Sequence, residues 1–291
     1  MRGRGRLDPR SSRRLLSLMS LIVTETLTLY RSAFLKTGES LVRGWMTMVA
    51  VVGFGVLLVV ATQVASPLGM VGGFLLGAVN ALLVGATLSL IEQSISQARA
   101  LTFRDVLGSV GHYFWDVIGI GFILWLPLMA LDLSIQSNPY GQLLSYAAFL
   151  LLFLLLNPAP EVIYQVRHDS PLEVFKTSYE FVLENWIEWF LPFAVILIPI
   201  FLSSMGLQGF FPLSSRVGRG AGLDFSQLLV LPFTILEGWL DYVGIPSAIS
   251  WYLGLFFTPP LAVAMLLFRG HLFASLHGAS RRQRRFVSPF K

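Results

Sequence analysis

Along the chain, apolar residues gather in separate blocks of about twenty, divided by short polar stretches, and do not alternate at the two-residue period of a half-buried strand. The clearest blocks lie at about 45–66 and 70–96, joined by the turn SPLGM, then at 115–134, 141–166, 186–205 and 246–270. At a helical rise of 1.5 Å per residue, twenty residues cover the roughly 30 Å of a bilayer's hydrocarbon core. The pattern therefore predicts an all-α integral membrane protein with six transmembrane helices. A seventh block, LLVLPFTILEGWLDYV at 228–243, is short and carries Pro232, Glu237 and Asp241. The ten-residue alternating segments of a membrane β-barrel do not occur.

Amphipathic stretches stand ahead of the odd-numbered blocks. Near the N-terminus Leu15, Met19, Ile22, Thr26 and Leu29 recur at helical spacing, interrupted by Glu25 and Arg31, which predicts a helix lying on the membrane surface. LTFRDVLGSVGHYFWD precedes the third block and SPLEVFKTSYEFVLENW the fifth. Trp45, Trp115 and Trp186 open these blocks at intervals of 70 and 71 residues, which suggests three units, each a surface helix followed by a membrane hairpin, at about 15–99, 100–167 and 168–275. Glu92 follows Trp45 by 47 residues and Glu161 follows Trp115 by 46, while the third unit has Val263 at the corresponding place. Each glutamate also precedes an arginine at the exit of its block, Glu92 before Arg99 and Glu161 before Arg167, so in a structural role it would reach either the cytoplasmic headgroups or that arginine.

Charge sets the orientation. Of 21 Lys and Arg residues, 19 fall on one side of a six-span arrangement and only Arg216 and Arg219 on the other. The positive-inside rule then puts both basic tails, 1–14 and 276–291, in the cytoplasm, around a single membrane domain at 15–275. A seventh span would carry RRQRR to the opposite face, so about 226–243 is expected to be an outer interfacial or re-entrant helix. Composition agrees with a membrane protein: 55% hydrophobic, 13% charged, mean hydropathy +0.70. The arginines before LLSLMSLIV imitate a signal peptide, but no small-residue cleavage site follows, and the segment is expected to be retained. The basic tail needs no nucleic acid, because anionic lipid headgroups and topology account for it. Cysteine is absent, which removes disulfides and thiolate chemistry.

Candidate chemistry is sparse. Gly69, Gly73, Gly77, Ala81, Gly85 and Ser89 recur every fourth residue, a spacing that lets helices approach closely, within the bundle or at a homodimer seam. Ionisable groups inside a span face a cavity or a partner by default, which makes Glu92 and Glu161 candidate working carboxylates, with Asn80 and Asn157 able to join a polar path. Asn157 belongs to NPAP, 157–160, and a similar TPP occurs at 258–260. Prolines there free backbone carbonyls, which a membrane tolerates only where neighbours or water satisfy them. The motif is either a packing kink or a break lining a polar cavity. His112, His168, His271 and His277 lack metalloprotease spacing, and VGRGAG at 217–222 follows no strand, so no enzyme, metal or cofactor is expected.

The surface helix, the tryptophan-led span and the proline-broken even span together resemble the six-helix membrane domain that precedes some bacterial glycerophosphodiester phosphodiesterases, and related inner-membrane proteins. The likeness is one of layout over about 15–275 and carries no diagnostic motif. It implies residence in a bacterial-type inner membrane and a lipid-facing role, without hydrolysis, since the soluble catalytic domain is missing. The expected function is a non-catalytic membrane module that organises lipids or partner membrane proteins. A proton- or cation-coupled transporter using Glu92 and Glu161, or an accessory subunit of a larger membrane complex, are the alternatives.

Overall fold

The computed structural model describes residues 9–135, 141–202 and 224–278. Parts of the basic tails, the end of the fifth block and VGRGAG lie outside them. Among the described residues the chain is all-helical. The helices are α1 (Pro9–Arg43), α2 (Trp45–Ala65), α3 (Gly69–Ser96), α4 (Phe103–Ser109), α5 (Phe114–Ile135), α6 (Gly141–Leu156), α7 (Ala159–Gln165), α8 (Pro171–Leu202), α9 (Phe225–Tyr242) and α10 (Ser247–His277).

Three segments among the described residues are long and apolar enough to cross a membrane: Trp45–Ser96, Pro171–Ile198 and Ser247–His277. This is a membrane protein. The first segment has 52 residues, far more than one crossing requires. It folds back on itself after a short 3₁₀ turn at Ser66–Leu68, and Thr47 at the start of α2 lies 3.3 Å from Ser94 at the end of α3, hydroxyl to hydroxyl. The turn needs Gly69, whose φ of 56° side chains rarely adopt. α4 and the first part of α5 qualify as one span only with a 44° bend between them, and the apolar stretch Leu150–Gln165 is shorter. The six separate crossings expected from the sequence are thus met in part, because proline and glycine break several of the apolar blocks.

A helix interruption precedes each of the three tryptophans. Gly44 separates α1 from α2, Gly111 with φ 89° lies between α4 and α5, and Asn185 in α8 has φ −127° and ψ 21°. Trp45, Trp115 and Trp186 themselves are exposed.

The core gathers where the second half of α3 meets α10. Leu83, Val84, Leu88, Leu90 and Ile91 of α3 are buried, as are Val263, Leu267, Leu272 and Phe273 of α10. The first half of α3 turns Met70, Val71 and Phe74 outward, and α10 likewise exposes Tyr252 and Phe256. An apolar exterior of this kind suits hydrocarbon rather than water. α1 lies along α10 on a stripe of small side chains, Ala33, Thr37 and Ser40, while Phe34, Leu35 and Val42 point away. Ser40 Oγ meets His271 Nε2 at 2.9 Å, and the Tyr30 hydroxyl donates to the Glu188 carbonyl at 2.8 Å. Burial and the neighbouring Glu188 carboxylate push the Tyr30 hydroxyl up to about 12.

α9 and α10 form an antiparallel pair around Gly244, whose φ is 86°. Asp224 caps α9 by accepting from the Ser226 N–H at 2.9 Å, and Asn80 Oδ1 accepts from the Phe225 N–H at 2.7 Å. Asn80 stands eleven residues into α3, about 16 Å from its start at 1.5 Å per residue. Phe225 also packs edge-on against Phe54 of α2, ring centres 6.2 Å apart. α9 therefore begins against the middle of α3 and beside α2.

Candidate functional site

The site is organised by the helix break at Asn157. α6 ends at Leu156, and Pro158 and Pro160 cannot donate the backbone bonds that would carry it on into α7. The break leaves the Asn157 carbonyl to a side chain, and Arg269 of α10 takes it: Nη2 donates to the Asn157 oxygen at 2.5 Å. The same guanidinium grips Glu161 with both arms, Nε to Oε1 and Nη2 to Oε2, each at 2.8 Å. Two parallel charge-assisted bonds in this fork geometry are among the strongest polar contacts a protein makes. Glu161, in the first turn of α7, is fully buried. There its charge also faces the favourable end of the helix dipole.

Trp189 of α8 completes the arrangement. Its indole N–H donates to Asn157 Oδ1 at 2.8 Å, and the Arg269 Cζ lies 5.3 Å from its ring centre, within cation–π range. Phe181 meets the indole edge-on at 5.2 Å, and Phe273 packs on Phe181 with ring centres 4.5 Å apart, which holds the ring in place. One arginine from α10 thus joins the α6–α7 break to α8.

Of the residues predicted from sequence, Glu161 and Asn157 are brought together. Glu92 and Asn80 are not part of that cluster. Glu92 accepts a 2.7 Å bond from the Tyr113 hydroxyl, and burial beside that carboxylate pushes the Tyr113 phenol above its ordinary range. Asn80 holds the start of α9. Neither glutamate pairs with the exit arginine of its own unit. Arg99 forks onto Asp105, with Nη2 to Oδ1 at 2.6 Å, and Arg167 is exposed while Glu161 takes its arginine from α10. The reason is reach: Arg99 lies beside the capping box of α4, and the chain turns away after Gln165 before Arg167 could fold back. Trp189 was not singled out by sequence reasoning, which favoured the exposed Trp186. It stands three residues beyond Trp186 on the same side of the Asn185 break, and nothing in the sequence set it apart.

The small-residue stripe of α3 is divided. Gly69, Gly73 and Gly77 have no neighbour within 4 Å of where a Cβ would stand. Ala81 and Ser89 are buried, and at Gly85 a Cβ would lie 3.1 Å from the Tyr113 backbone. Among the described residues, the close approach is made along the second half of the stripe, because the core lies at that end of α3.

Clefts open on both sides of Arg269. One, about 730 Å³ of open space, runs between the α6–α7 break, α9 and α10, with Asn157 and Arg269 at its base and Leu228, Leu231 and Met265 among its walls. The other, about 440 Å³, lies between Trp189, Phe193 and Phe268. Neither includes Glu92 or Asn80. Among the described residues no group of three or more His, Asp or Glu side chains could hold a metal ion. No protein family, curated protein or solved structure matches the chain.

Proposed function

We propose that this protein is a non-catalytic multi-pass membrane module that organises lipids or partner membrane proteins. The observation that carries the reading is that Arg269 neutralises Glu161 with both arms and still lines apolar clefts on either side. A carboxylate locked in a fork is spent on structure, and a guanidinium at the base of a greasy groove suits an amphiphile. The transporter reading draws less support from the geometry, since Glu92 and Glu161 engage different partners, Tyr113 and Arg269.

The architecture proposed with it is six crossings in three hairpin units, about 15–99, 100–167 and 168–275. The interruptions at Gly44, Gly111 and Asn185 support this, each falling just before a unit's tryptophan. α9 is the re-entrant helix, both termini are cytoplasmic, and the membrane is of the bacterial inner type.

The test is reconstitution. Liposomes containing the protein and loaded with a pH-sensitive dye should admit protons no faster than empty liposomes when a potential is applied. In native polymer discs the protein should carry lipids or partner proteins enriched over the bulk membrane. Proton entry that Glu161→Gln abolishes would restore the transporter, and discs with no enrichment would remove the organising role.

A further inference from the structure

Arg269 has five N–H donors, and the protein uses three. Nε donates once to Glu161, and Nη2 donates to Glu161 and to the Asn157 carbonyl. The two donors on Nη1 meet no acceptor among the described residues, although the side chain is only 27% exposed. Nη1 is accessible rather than sealed in, so its donors take an oxygen from outside the protein.

Depth and charge narrow what that oxygen can be. Arg269 stands 22 residues beyond Ser247, where α10 starts. At 1.5 Å per residue that is about 33 Å, close to the full thickness of the hydrocarbon core. It places Nη1 where the acyl esters of a bilayer lipid lie, at the boundary between hydrocarbon and headgroups. Glu161 already cancels the arginine's charge. An anion would bring its charge up to the Glu161 carboxylate, with no second cation paired to that carboxylate among the described residues, so a neutral acceptor fits better. The cleft between α9 and α10 is an open groove with walls of Phe153, Leu228, Leu231 and Met265, suited to a hydrocarbon chain lying along it.

We propose that Arg269 Nη1 donates to an acyl-ester carbonyl of a diacyl glycerolipid from the surrounding membrane, with that acyl chain lying in the α9–α10 cleft. The headgroup stays in the interface and is not read. This rests on the lipid-organising reading above and names its ligand. It also gives α9 a role: held at Phe225 by Asn80, it forms the wall opposite α10 that turns a groove into a cleft.

Native mass spectrometry of the full chain in detergent, titrated with single synthetic lipids, tests the proposal. Diester phosphatidylcholine, phosphatidylethanolamine and phosphatidylglycerol should bind within about twofold of one another. The diether analogue of phosphatidylcholine has the same chains and headgroup but no ester carbonyl, and it should bind at least fivefold more weakly. Leu231→Trp, which fills the cleft without touching the ion pair, should lower binding of all three diesters by a similar factor. Equal binding of ester and ether lipids would overturn the carbonyl contact, and a strong preference for phosphatidylglycerol would make the site an anion site instead. A cleft filled by water, by a partner helix or by another part of the chain would show no bound lipid that Leu231→Trp reduces. In those cases lipid enrichment in native discs could persist, which would leave the organising role standing while this site falls.

Discussion

The Glu161–Arg269 fork makes both of its residues costly to replace. Removing one partner of a buried ion pair leaves the other charged and uncompensated, which typically costs about 3–5 kcal/mol. Glu161→Gln should therefore lower thermal stability in detergent by an amount of that order, and so should Arg269→Gln, which also strands the Asn157 carbonyl. Arg167→Gln, at an exposed position, should change stability by no more than about 0.5 kcal/mol. Thermal unfolding of the three variants side by side checks this, and equal loss at Arg167 would return Glu161 to its sequence neighbour. Asp105 gives a pH dependence. Its bonds from Arg99 and from the Thr102 side chain and backbone hold its carboxyl well below the usual carboxylate range. A group depressed on folding contributes stability that is complete above the unfolded value, about 4 for aspartate, and disappears as pH falls through the folded value. The stability difference between the wild type and Asp105→Asn should accordingly be constant from neutral pH down to about 4 and shrink below it. A difference that already vanishes between pH 7 and 5 would assign the effect to another group.

At the scale of elements, the glycines separate close packing from mere spacing. A Cβ at Gly119 of α5 would stand 2.6 Å from Pro171 Cγ, and one at Gly254 of α10 would meet Phe233 of α9 at 2.5 Å, whereas Gly77 has open space. Gly119→Leu and Gly254→Leu should sharply reduce the yield of folded protein on size-exclusion chromatography in detergent, and Gly77→Leu should leave it near that of the wild type. The periodicity of the stripe by itself predicts the reverse order for Gly77 and Gly119. Spacing every fourth residue says which side chains share a helix face, but not whether another helix covers that face. The helix breaks were more legible. Proline removes a donor whatever the surroundings, so NPAP announced the end of α6 in the sequence. What satisfies the freed carbonyl was not visible there, since the donor comes from 112 residues further along the chain.

For the whole molecule, the charge distribution gives a direct test of topology. Reporter fusions after residue 285 should indicate the cytoplasm, and fusions near Gly220 the opposite side. The same location for both would exclude the six-span arrangement proposed here. Hydropathy alone determined that the chain is a helical membrane protein, because uncompensated backbone polar groups in hydrocarbon leave a long apolar chain few other options. It also located several helix ends closely, α2 at Trp45–Ala65 against a block at 45–66 and α3 at Gly69–Ser96 against one at 70–96, whereas α8 starts fifteen residues ahead of its block and α10 runs seven residues past its own. Those are properties of contiguous sequence. Which carboxylate meets which guanidinium, which half of a small-residue stripe is covered and where α9 inserts depend on residues far apart in the chain arriving at the same place. Sequence proximity favoured Arg167 for Glu161. The tertiary structure gave it Arg269, because α10 passes the α6–α7 break at the point where a proline-freed carbonyl and a buried charge both need a donor, and a single guanidinium can serve both.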